Sequence, residues 1–320
     1  MKLEYILKTM IMNTKILCVW IALLTCQIAG AQTKNVTWGD QGNGTYINPI
    51  LNADYSDPDV IRVGDKYYMV NSDFHYMGMP VLESDDMINW TDHGEILSSD
   101  QVPWGRKEGG FMWAPDCAYR NGTYYFYFPH PSETDWNDSW KIGVATSDKP
   151  AEGFKVQGYI EGMDPMIDPC VFVDDDGQAY IYNGGGGTCK GGKLKDNMIE
   201  LDGPMRTMEG LSDFHEATWI HKYNGKYYLS YSDNHDDGEK HNRMCYAISD
   251  SPLGPWEYKG IYMEPTDSYT NHGSIVEFKG QWYSFYHNSA LSGHDWLRSI
   301  CVDKLYYNPD GTIKMVKQTK

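Results

Sequence analysis

The feature of this chain that most constrains its fold is a unit that recurs five times. Each unit has a short turn rich in Gly, Asn and Asp, followed by a run of aromatic and β-branched residues. A turn of this composition before such a run is typical of a β-hairpin. The equivalent turn positions are Asp65, Gly122, Gly177, Gly225 and Gly280. They lie 57, 55, 48 and 55 residues apart, so one supersecondary unit repeats along most of the chain.

A second element follows the hairpin in three of the five units. It is a Ser-Asp pair that precedes a large aromatic residue by a few positions. The pairs are Ser84 with Trp90, Ser147 with Phe154 and Ser249 with Trp256. Because no stretch keeps a helical period, the pattern predicts an all-β fold, a five-bladed β-propeller. The alternative is a β-sandwich whose hairpins are alike by chance, which the near-constant spacing disfavours.

Both ends of the chain carry further signals. A turn at residues 308–313 is expected to finish the last blade or to close the ring with residues 46–49. Residues 1–31 resemble a secretory signal peptide, with a basic start, an apolar run and a small-residue site that ends at Ala31. The apolar run is shorter than the ~20 residues that a bilayer requires. We therefore expect cleavage after Ala31, a secreted or periplasmic protein without a membrane span, and a single domain over residues 32–320.

Charge narrows the partners that the chain can bind. The 27 Lys and Arg residues are outnumbered by 44 Asp and Glu residues, which gives a net charge of −17 at pH 7. A strongly acidic protein repels nucleic acid and anionic membranes. An uncharged polysaccharide suffers no such repulsion, and the 25 Tyr and 11 Trp residues can stack on sugar rings. The composition is therefore compatible with a neutral polysaccharide as partner.

The cysteines do not suggest a metal site. The five that follow the predicted leader lack CxxC spacing and do not cluster with histidines in the sequence. They are Cys117, Cys170, Cys189, Cys245 and Cys301. Five is an odd number, so at least one thiol stays unpaired within the chain. We expect buried apolar thiols with at most a single disulfide, and no required cofactor.

One polar residue stands six to nine positions before each repeat turn. The five are Asp57, Asp116, Asp168, Glu216 and His272. In a propeller, the first strand of each blade lines the central channel. Equivalent positions in five blades therefore meet at one end of this channel, which predicts an acidic cluster there.

Acids crowded into a partly dry pocket acquire different pKa values. Cleavage of a glycosidic bond needs such a difference, because one acid must be protonated and another ionised. Asp57, Asp168 and Glu216 are therefore the predicted catalytic residues. An Asp before Pro is also a common turn residue, and Asp116 is interpreted as structural.

These motifs resemble glycoside hydrolase family 43 from residue 48 to residue 311. The matching segments are Asn48-Pro49-Ile50-Leu51, the Asp57 motif, Trp113-Ala114-Pro115, Ile167-Asp168-Pro169, Glu216 with the strand at 222–229, and His272-Gly273-Ser274. The resemblance implies an inverting mechanism with Asp57 as general base, Glu216 as general acid and Asp168 as modulator of the acid. The Asp57 and Glu216 carboxyls are then expected to stand ~6.5–9.5 Å apart.

The resemblance also implies residues that bind substrate. Phe74, Trp113 and Arg298 match positions that line the sugar pocket in similar enzymes, although Phe74 and Trp113 also suit a packing role. His272 is expected in the channel, where it contacts substrate, supports a structural calcium ion or simply makes a structural hydrogen bond. No catalytic metal is expected.

The resemblance gives the substrate class but leaves the sugar open. An exo-acting β-xylosidase and an α-L-arabinofuranosidase are both consistent with these residues. The resemblance implies plant cell-wall polysaccharide or its oligosaccharides as substrate, in the form of xylan or arabinoxylan fragments. Residues 72–80 are expected to wall off one end of the pocket, which favours exo action. The alternatives are an endo-arabinanase, which needs an open groove, and a carbohydrate-binding propeller without activity. A phosphorylase would need a basic phosphate cluster near the acids, which the sequence lacks.

Overall fold

The structure, a computed structural model, describes residues 33–52, 54–72, 78–106, 112–132, 139–235 and 242–319. Its strands form five antiparallel sheets, here called blades 1 to 5 in chain order. Blade 1 contains β1 (Lys34–Asn35), β2 (Ser56–Val63), β3 (Lys66–Ser72), β4 (Gly78–Ser84) and β5 (Thr91–Ser98), which a short 3₁₀ turn, Ser99–Gln101, follows. Blade 2 contains β6 (Asp116–Arg120), β7 (Thr123–Pro131), β8 (Trp140–Ser147) and β9 (Lys155–Tyr159).

The remaining three blades repeat this plan. Blade 3 contains β10 (Cys170–Val173), β11 (Ala179–Gly185), β12 (Thr188–Lys193) and β13 (Arg206–Thr207). Blade 4 contains β14 (Phe214–Tyr223), β15 (Lys226–Asp233), β16 (Met244–Ser249) and β17 (Glu257–Met263). Blade 5 contains β18 (Gly273–Phe278), β19 (Gln281–Asn288) and β20 (Ser299–Leu305). The predicted five-bladed propeller is confirmed.

Each predicted repeat turn joins the two innermost strands of a blade, which in blade 1 are β2 and β3. In blade 2, Asn121 and Gly122 connect β6 to β7 with φ angles of 52° and 82°. In blade 4, Asn224 and Gly225 do the same between β14 and β15, with φ angles of 48° and 75°. Two successive positive φ angles suit the twist of a tight hairpin, and Asn and Gly adopt them at little cost. The turn residues alone therefore specify the hairpin formed by the two innermost strands of each of these blades.

The Ser-Asp pairs end the third strand of blades 1, 2 and 4. The Ser84 hydroxyl accepts a hydrogen bond from the Met87 N–H at 2.8 Å and so turns the chain away from β4. Equivalent bonds run from Lys149 to Ser147 and from Ser251 to Ser249, both at 3.0 Å. The aromatic residue that follows is buried in each case, as Trp90, Phe154 and Trp256. The motif therefore links the end of one strand to an anchor in the core.

Ring closure uses both ends of the domain. The Ile50 N–H donates to the Ile300 carbonyl at 2.8 Å, which places the segment before β2 beside β20. The Asn48 side chain bonds both backbone groups of Val302, accepting from N–H at 2.9 Å and donating to C=O at 3.0 Å. After β20, the Val316 N–H donates to the Tyr262 carbonyl of β17 at 2.7 Å. The N-terminal segment thus closes the ring and the C-terminal segment packs against blade 4.

The hydrophobic core is divided among the contacts between neighbouring blades. Five clusters of buried side chains lie between blades 1 and 2, 2 and 3, 3 and 4, 4 and 5, and 5 and 1, with Phe126, Ile181, Leu229, Tyr286 and Phe285 as respective members. Such side chains gain roughly 1.5–3 kcal/mol each on burial. The channel end of each blade is therefore held by packing on both of its faces.

The five cysteines that the structure describes are all buried and all free. They are Cys117, Cys170, Cys189, Cys245 and Cys301. Burial raises the pKa of each thiol above its ordinary value. The prediction of buried apolar thiols is confirmed, and the single disulfide that the sequence allowed is not formed among these residues.

No helix in the described part of the chain is both long and apolar enough to cross a bilayer.

Candidate active site

A cavity of about 160 Å³ lies where the predicted polar residues meet. It is lined by Asp57, Trp113, Ala114, Ile167, Asp168, Glu216, Tyr269, Thr270, His272, Trp296 and Arg298. Six of the seven predicted site residues are therefore present in one cavity. The seventh, Phe74, lies outside the described residues. Asp116 does not line the cavity, as its structural interpretation predicts.

Irregular backbone turns the acids toward this cavity. Asp57 and Asp168 have φ angles of 54° and 52°, and Ala217, which follows Glu216, has a φ of 63°. The register of β2 shifts between Ser56 and Asp59, and that of β14 shifts on both sides of Glu216. Such backbone costs on the order of 1–3 kcal/mol per residue and persists where the surroundings enforce it. Its occurrence at all three acids marks a functional site.

Asp57 is buried and surrounded by hydrogen-bond donors and cations. One carboxyl oxygen, Oδ2, accepts the Ser72 hydroxyl at 2.6 Å. Ser72 is itself fixed, since its oxygen accepts the Ala114 N–H at 2.5 Å. The other oxygen, Oδ1, lies 3.6 Å from Nη1 of Arg298 and 3.5 Å from Nδ1 of His287. The carboxyl therefore has a charge partner and a donor on opposite sides.

His287 supports Asp57 as a neutral imidazole. Its Nδ1 accepts the Asp57 backbone N–H at 3.0 Å, so this nitrogen carries no proton. Its Nε2 is 3.0 Å from the Thr270 carbonyl and is the nitrogen that donates. Burial, with the charge of Arg298, lowers the pKa of His287 to about 3. The ring stays uncharged at neutral pH, which leaves Arg298 as the permanent cation beside Asp57.

These neighbours decide the ionisation of Asp57. Burial alone raises its pKa, but His272, His287, Arg298 and the hydroxyl of Ser72 together outweigh burial. The pKa of Asp57 is consequently lowered below its ordinary value. The carboxyl is an ionised base at neutral pH.

Asp168 and Glu216 are shifted in the opposite direction. Burial raises the pKa of Asp168 well above its usual range, and the charge of Glu216 adds to this, although the Ala217 N–H donates to Asp168 Oδ2 at 2.7 Å. Burial also raises the pKa of Glu216, and the charge of Asp57 adds to it, against the opposing effects of His215 and Arg298. The two carboxyls interact, so they titrate as a pair that retains a proton when Asp57 has lost its own.

His272 and Trp113 complete the inner wall. His272 Nδ1 lies 3.9 Å from both Asp57 Oδ1 and Asp168 Oδ2, so the ring stands between the two acids. Burial lowers the pKa of His272, against the charge of Asp57. Trp113 stacks on Trp140 with ring centroids 5.3 Å apart and planes inclined by 26°. Trp113 therefore both packs and lines the cavity, as its two interpretations from sequence require.

Sequence reasoning missed the residues that support the acids. Ser72 and His287 contact Asp57, and the Ser232 hydroxyl donates to the Glu216 carbonyl at 3.3 Å. All three stand seven positions after the repeat turn of their unit, counted from Asp65, Gly280 and Gly225. The same position in the other two units holds Pro129 and Gly184, so the offset alone does not single these residues out. Tyr269 and Trp296 lie between the repeated motifs and carry no such signal, and His215 stands next to Glu216.

An ionised carboxylate and a coupled acidic pair face one cavity at the end of a propeller channel. A low pKa in one carboxyl and raised pKa values in the others are the requirement for general acid–base cleavage of a glycosidic bond. The fold and the site thus define a propeller glycosidase.

Comparisons with known proteins place the chain within this class. The model of Glycosyl hydrolases family 43 matches residues 46–313, and the chain belongs to this family. A xylosidase/arabinosidase from Bacteroides ovatus is 37% identical over 292 residues, which cover 78% of this chain and 84% of that protein.

Solved structures agree. CoXyl43, a GH43 β-xylosidase/α-arabinofuranosidase from a compost microbial metagenome in complex with xylotriose, has a TM-score of 0.76 at 33% identity and covers 85% of this chain and 98% of that one. The α-L-arabinofuranosidase CtGH43 from Clostridium thermocellum has a TM-score of 0.70 at 35% identity and covers 82% and 94%. The protein is a glycosidase of the β-xylosidase or α-L-arabinofuranosidase type, and the family, fold and enzyme class predicted from sequence are confirmed.

Proposed function

We propose that this family 43 glycosidase is exo-acting and releases xylose or arabinose from the ends or branches of xylan-type oligosaccharides. The observation that carries the proposal is the opposite pKa shift of Asp57 and Glu216 within one small cavity. The part lined by described residues has a volume of about 160 Å³, which suits one sugar ring better than a chain. Names of relatives support the same sugars, because they include xylosidase/arabinosidase and β-xylosidase.

In the proposed mechanism, Asp57 takes a proton from a water molecule, whose oxygen attacks the anomeric carbon. Glu216 gives its proton to the departing glycosidic oxygen as the carbon–oxygen bond breaks, so the anomeric centre is inverted. Asp168 holds the acid in its protonated state and in position through their mutual interaction. The buried cation Arg298 and the hydroxyl of Ser72 keep Asp57 ionised until the water is activated.

The remaining site residues would bind the sugar. Trp113 offers a ring at the cavity wall, His272 a neutral nitrogen between two acids, and Arg298 a guanidinium group. Phe74 keeps the same proposed role from the sequence. The hydroxyl groups of a pentose can pair with these polar atoms while its apolar face meets the aromatic ring.

The test separates the roles of the two acids by the leaving group. p-Nitrophenyl β-D-xyloside, p-nitrophenyl α-L-arabinofuranoside and xylobiose are hydrolysed by wild type, Glu216→Ala and Asp57→Ala, with the exposed Glu264→Ala as control. Loss of a general acid or base costs about 10²–10⁴-fold in rate. Glu216→Ala should lose most on xylobiose, since p-nitrophenolate departs without a proton, whereas Asp57→Ala should lose activity on all substrates.

Three outcomes would contradict this function. Release of arabino-oligosaccharides from arabinan, with the small glycosides intact, would indicate an endo-arabinanase. Binding of xylo-oligosaccharides without cleavage would indicate a carbohydrate-binding propeller. The anomeric configuration of the first product can be measured by nuclear magnetic resonance. Retained configuration would exclude the inverting mechanism.

We also propose that the protein is exported, on the strength of residues 1–31, which lie outside the described residues. N-terminal sequencing of protein recovered from the periplasm or medium should begin at Gln32; an intact N-terminus would contradict export.

The structural calcium beside His272 stays a prediction. Ca²⁺ takes six to eight oxygen ligands, and no group of three or more His, Cys, Asp or Glu residues suited to a metal occurs among the described residues. A calcium ion there would therefore take most of its oxygen ligands from backbone carbonyls and water.

A further inference from the structure

The mouth of the active-site cavity is aromatic. Of the described residues that line the cavity, Tyr269 and Trp296 are the two exposed ones, with 48% and 59% of their surface accessible. The other lining residues are buried or half-buried. Large aromatic rings at such exposure forgo the gain that burial would give them. Their place at the mouth calls for a ligand.

The segments that carry these rings are tied together. The Asp295 carboxylate accepts the Tyr269 N–H, which joins the loop before β18 to the loop before β20. Asp267 accepts the Ser289 N–H at 2.9 Å and thereby attaches the Tyr269 loop to the end of β19. The Ser292 hydroxyl donates to the Leu297 carbonyl at 2.7 Å and holds the turn around Trp296. Both rings are thus presented by a braced rim, which lowers the entropy cost of binding.

The same rim is connected to the catalytic base. Arg298 Nε donates to the Asp295 carbonyl at 2.8 Å, and its guanidinium carbon lies 5.9 Å from the centroid of the Trp296 ring. The Nη1 atom of Arg298 lies 3.6 Å from Asp57 Oδ1. Arg298 therefore connects Trp296 to Asp57, so the position of the Trp296 ring is fixed relative to the catalytic base.

We propose that Tyr269 and Trp296 form the platform that binds the saccharide on the leaving-group side, a neutral xylo-oligosaccharide. The inference rests on the proposed function. The buried floor with its three acids takes the sugar that is released, so the rest of the substrate must pass through the mouth. There the apolar faces of its rings can stack on the two aromatic side chains. The platform residues bind substrate and take no part in proton transfer.

The experiment compares two donors of the same sugar. Xylobiose has a saccharide leaving group, whereas β-D-xylosyl fluoride has none that could stack. For Trp296→Ala and Tyr269→Ala, the ratio of kcat/KM for xylobiose to kcat/KM for the fluoride should fall about tenfold, as expected for the loss of one aromatic contact. Trp296→Phe should restore most of the ratio. Trp38→Ala is the matched control, because Trp38 is 53% exposed and does not line the cavity.

Each result decides the matter. An unchanged ratio of kcat/KM values in both alanine variants would overturn the platform. If kcat/KM falls equally on both donors, the rings only shape the catalytic pocket, which also overturns it. A wild-type enzyme that cleaves neither donor nor the corresponding arabinoside would overturn the proposed function itself. The wild-type measurement thus distinguishes the two failures.

Discussion

Asp57 and Glu216 line the same cavity, yet their surroundings shift their pKa values in opposite directions. The difference comes from neighbours, since both are largely buried. Asp57 has a cation and a hydroxyl donor in reach. For Glu216, burial outweighs the opposing charges of His215, whose Nε2 is 3.9 Å from Oε2, and of Arg298. A few contacts therefore assign the base and the acid.

The first prediction concerns the pH dependence of kcat/KM. Asp57 must be ionised, so activity should appear above a pKa lower than the ordinary Asp value of about 3.9. Glu216 must be protonated, so activity should disappear above a pKa higher than the ordinary Glu value of about 4.3. In Asp168→Asn the alkaline limb should move to lower pH, because Glu216 then ionises without a second acid beside it. An unmoved limb in that variant would contradict the coupling of the two carboxyls.

The second prediction isolates the hydroxyl that supports the base. Ser72→Ala removes the bond to Asp57 Oδ2. Since a hydrogen bond to a charged group contributes about 1.5–3 kcal/mol, the acid limb of kcat/KM should rise by about one to two pH units. Ser232→Ala is the matched control, because its hydroxyl is equally buried but donates to a backbone carbonyl. Equal shifts in the two variants would show that the acid limb does not report this contact.

How far single residues could be predicted follows from where their partners lie. Asp57, Asp168 and Glu216 were identifiable because each sits in an unusual local motif at a repeated offset from a turn. Ser72 and His287 were not, because a serine or histidine in a strand looks ordinary until the strand is seen to end at the cavity. The low pKa of Asp57 depends partly on Arg298, which is distant in sequence. No local sequence pattern reveals that the two side chains lie close together in the fold.

At the scale of elements, the Ser-Asp motif does more than end a strand. Trp90 donates its indole N–H to the Met87 carbonyl at 3.1 Å, next to the turn that Ser84 fixes. The ring then meets Phe285 of blade 5 edge to face, with centroids 6.1 Å apart. One short motif therefore fixes a turn within blade 1 and packs that blade on blade 5.

The third prediction tests this anchor. Trp90→Ala should lower the free energy of unfolding by about 3–5 kcal/mol, since a fully buried Trp leaves a cavity that its neighbours cannot fill. Trp38→Ala should cost clearly less than this, because Trp38 is 53% exposed and leaves no enclosed cavity. Urea denaturation followed by circular dichroism measures both. Similar losses in the two variants would mean that the anchor role is wrong.

The elements also differ in how visible they were in the sequence. All five inner hairpins were predictable, because turn chemistry is local. The pairing of β1 with β5 and the three strands of blade 5 were not. The sequence predicted that the turn at 308–313 finishes the last blade or closes the ring with residues 46–49. In the structure Asn48 bonds both backbone groups of Val302 in β20, whereas the Ile313 N–H donates to the Tyr246 hydroxyl of blade 4. In the sequence, Asn48 looks like any other loop asparagine, because its partner Val302 comes near it only in the folded chain.

At the scale of the molecule, one hydrogen bond joins the inner strands of every neighbouring pair of blades, and each uses a side chain of one blade and the backbone of the next. The five bonds are Cys117 N to Asp59, Val171 N to Asp116, Ala217 N to Asp168, Trp219 Nε1 to Ile275 O, and Val60 N to Ser274. Asp168 thus belongs to this ring as well as to the active site. The interpretation of Asp116 as structural, made from sequence, agrees with its place in the ring.

Two members of the ring form a buried acidic pair. The Cys117 N–H donates to one oxygen of Asp59 and one of Asp116, both at 2.8 Å. Burial raises the pKa of Asp59 to about 6. Burial also raises the pKa of Asp116 well above its ordinary value, and the charge of Asp59 adds to it. Two such acids so close together retain a proton at pH values where exposed carboxyls have lost theirs.

The fourth prediction concerns stability and pH. A carboxyl whose pKa is higher in the folded state stabilises the fold below its unfolded pKa of about 3.9, and this contribution is lost as the pH rises through the folded value. For Asp59 that loss runs from its unfolded pKa up to its folded pKa of about 6, and for Asp116 it continues to higher pH. Asp116→Asn should therefore be less stable than wild type at pH 5, by about 1–3 kcal/mol, because one amide oxygen cannot replace two carboxyl acceptors.

The deficit of this variant should then narrow as the pH rises to 8, because wild type must ionise two adjacent buried acids and the variant only one. Urea denaturation at pH 5, 6, 7 and 8 measures the difference in free energy of unfolding between wild type and Asp116→Asn. Asp176→Asn, in an exposed turn, is the control. A deficit that stays constant across this range would show that the pair keeps its charge state. The ring would then be held by neutral hydrogen bonds alone, and raising the pH would not weaken the contacts between blades 1, 2 and 3.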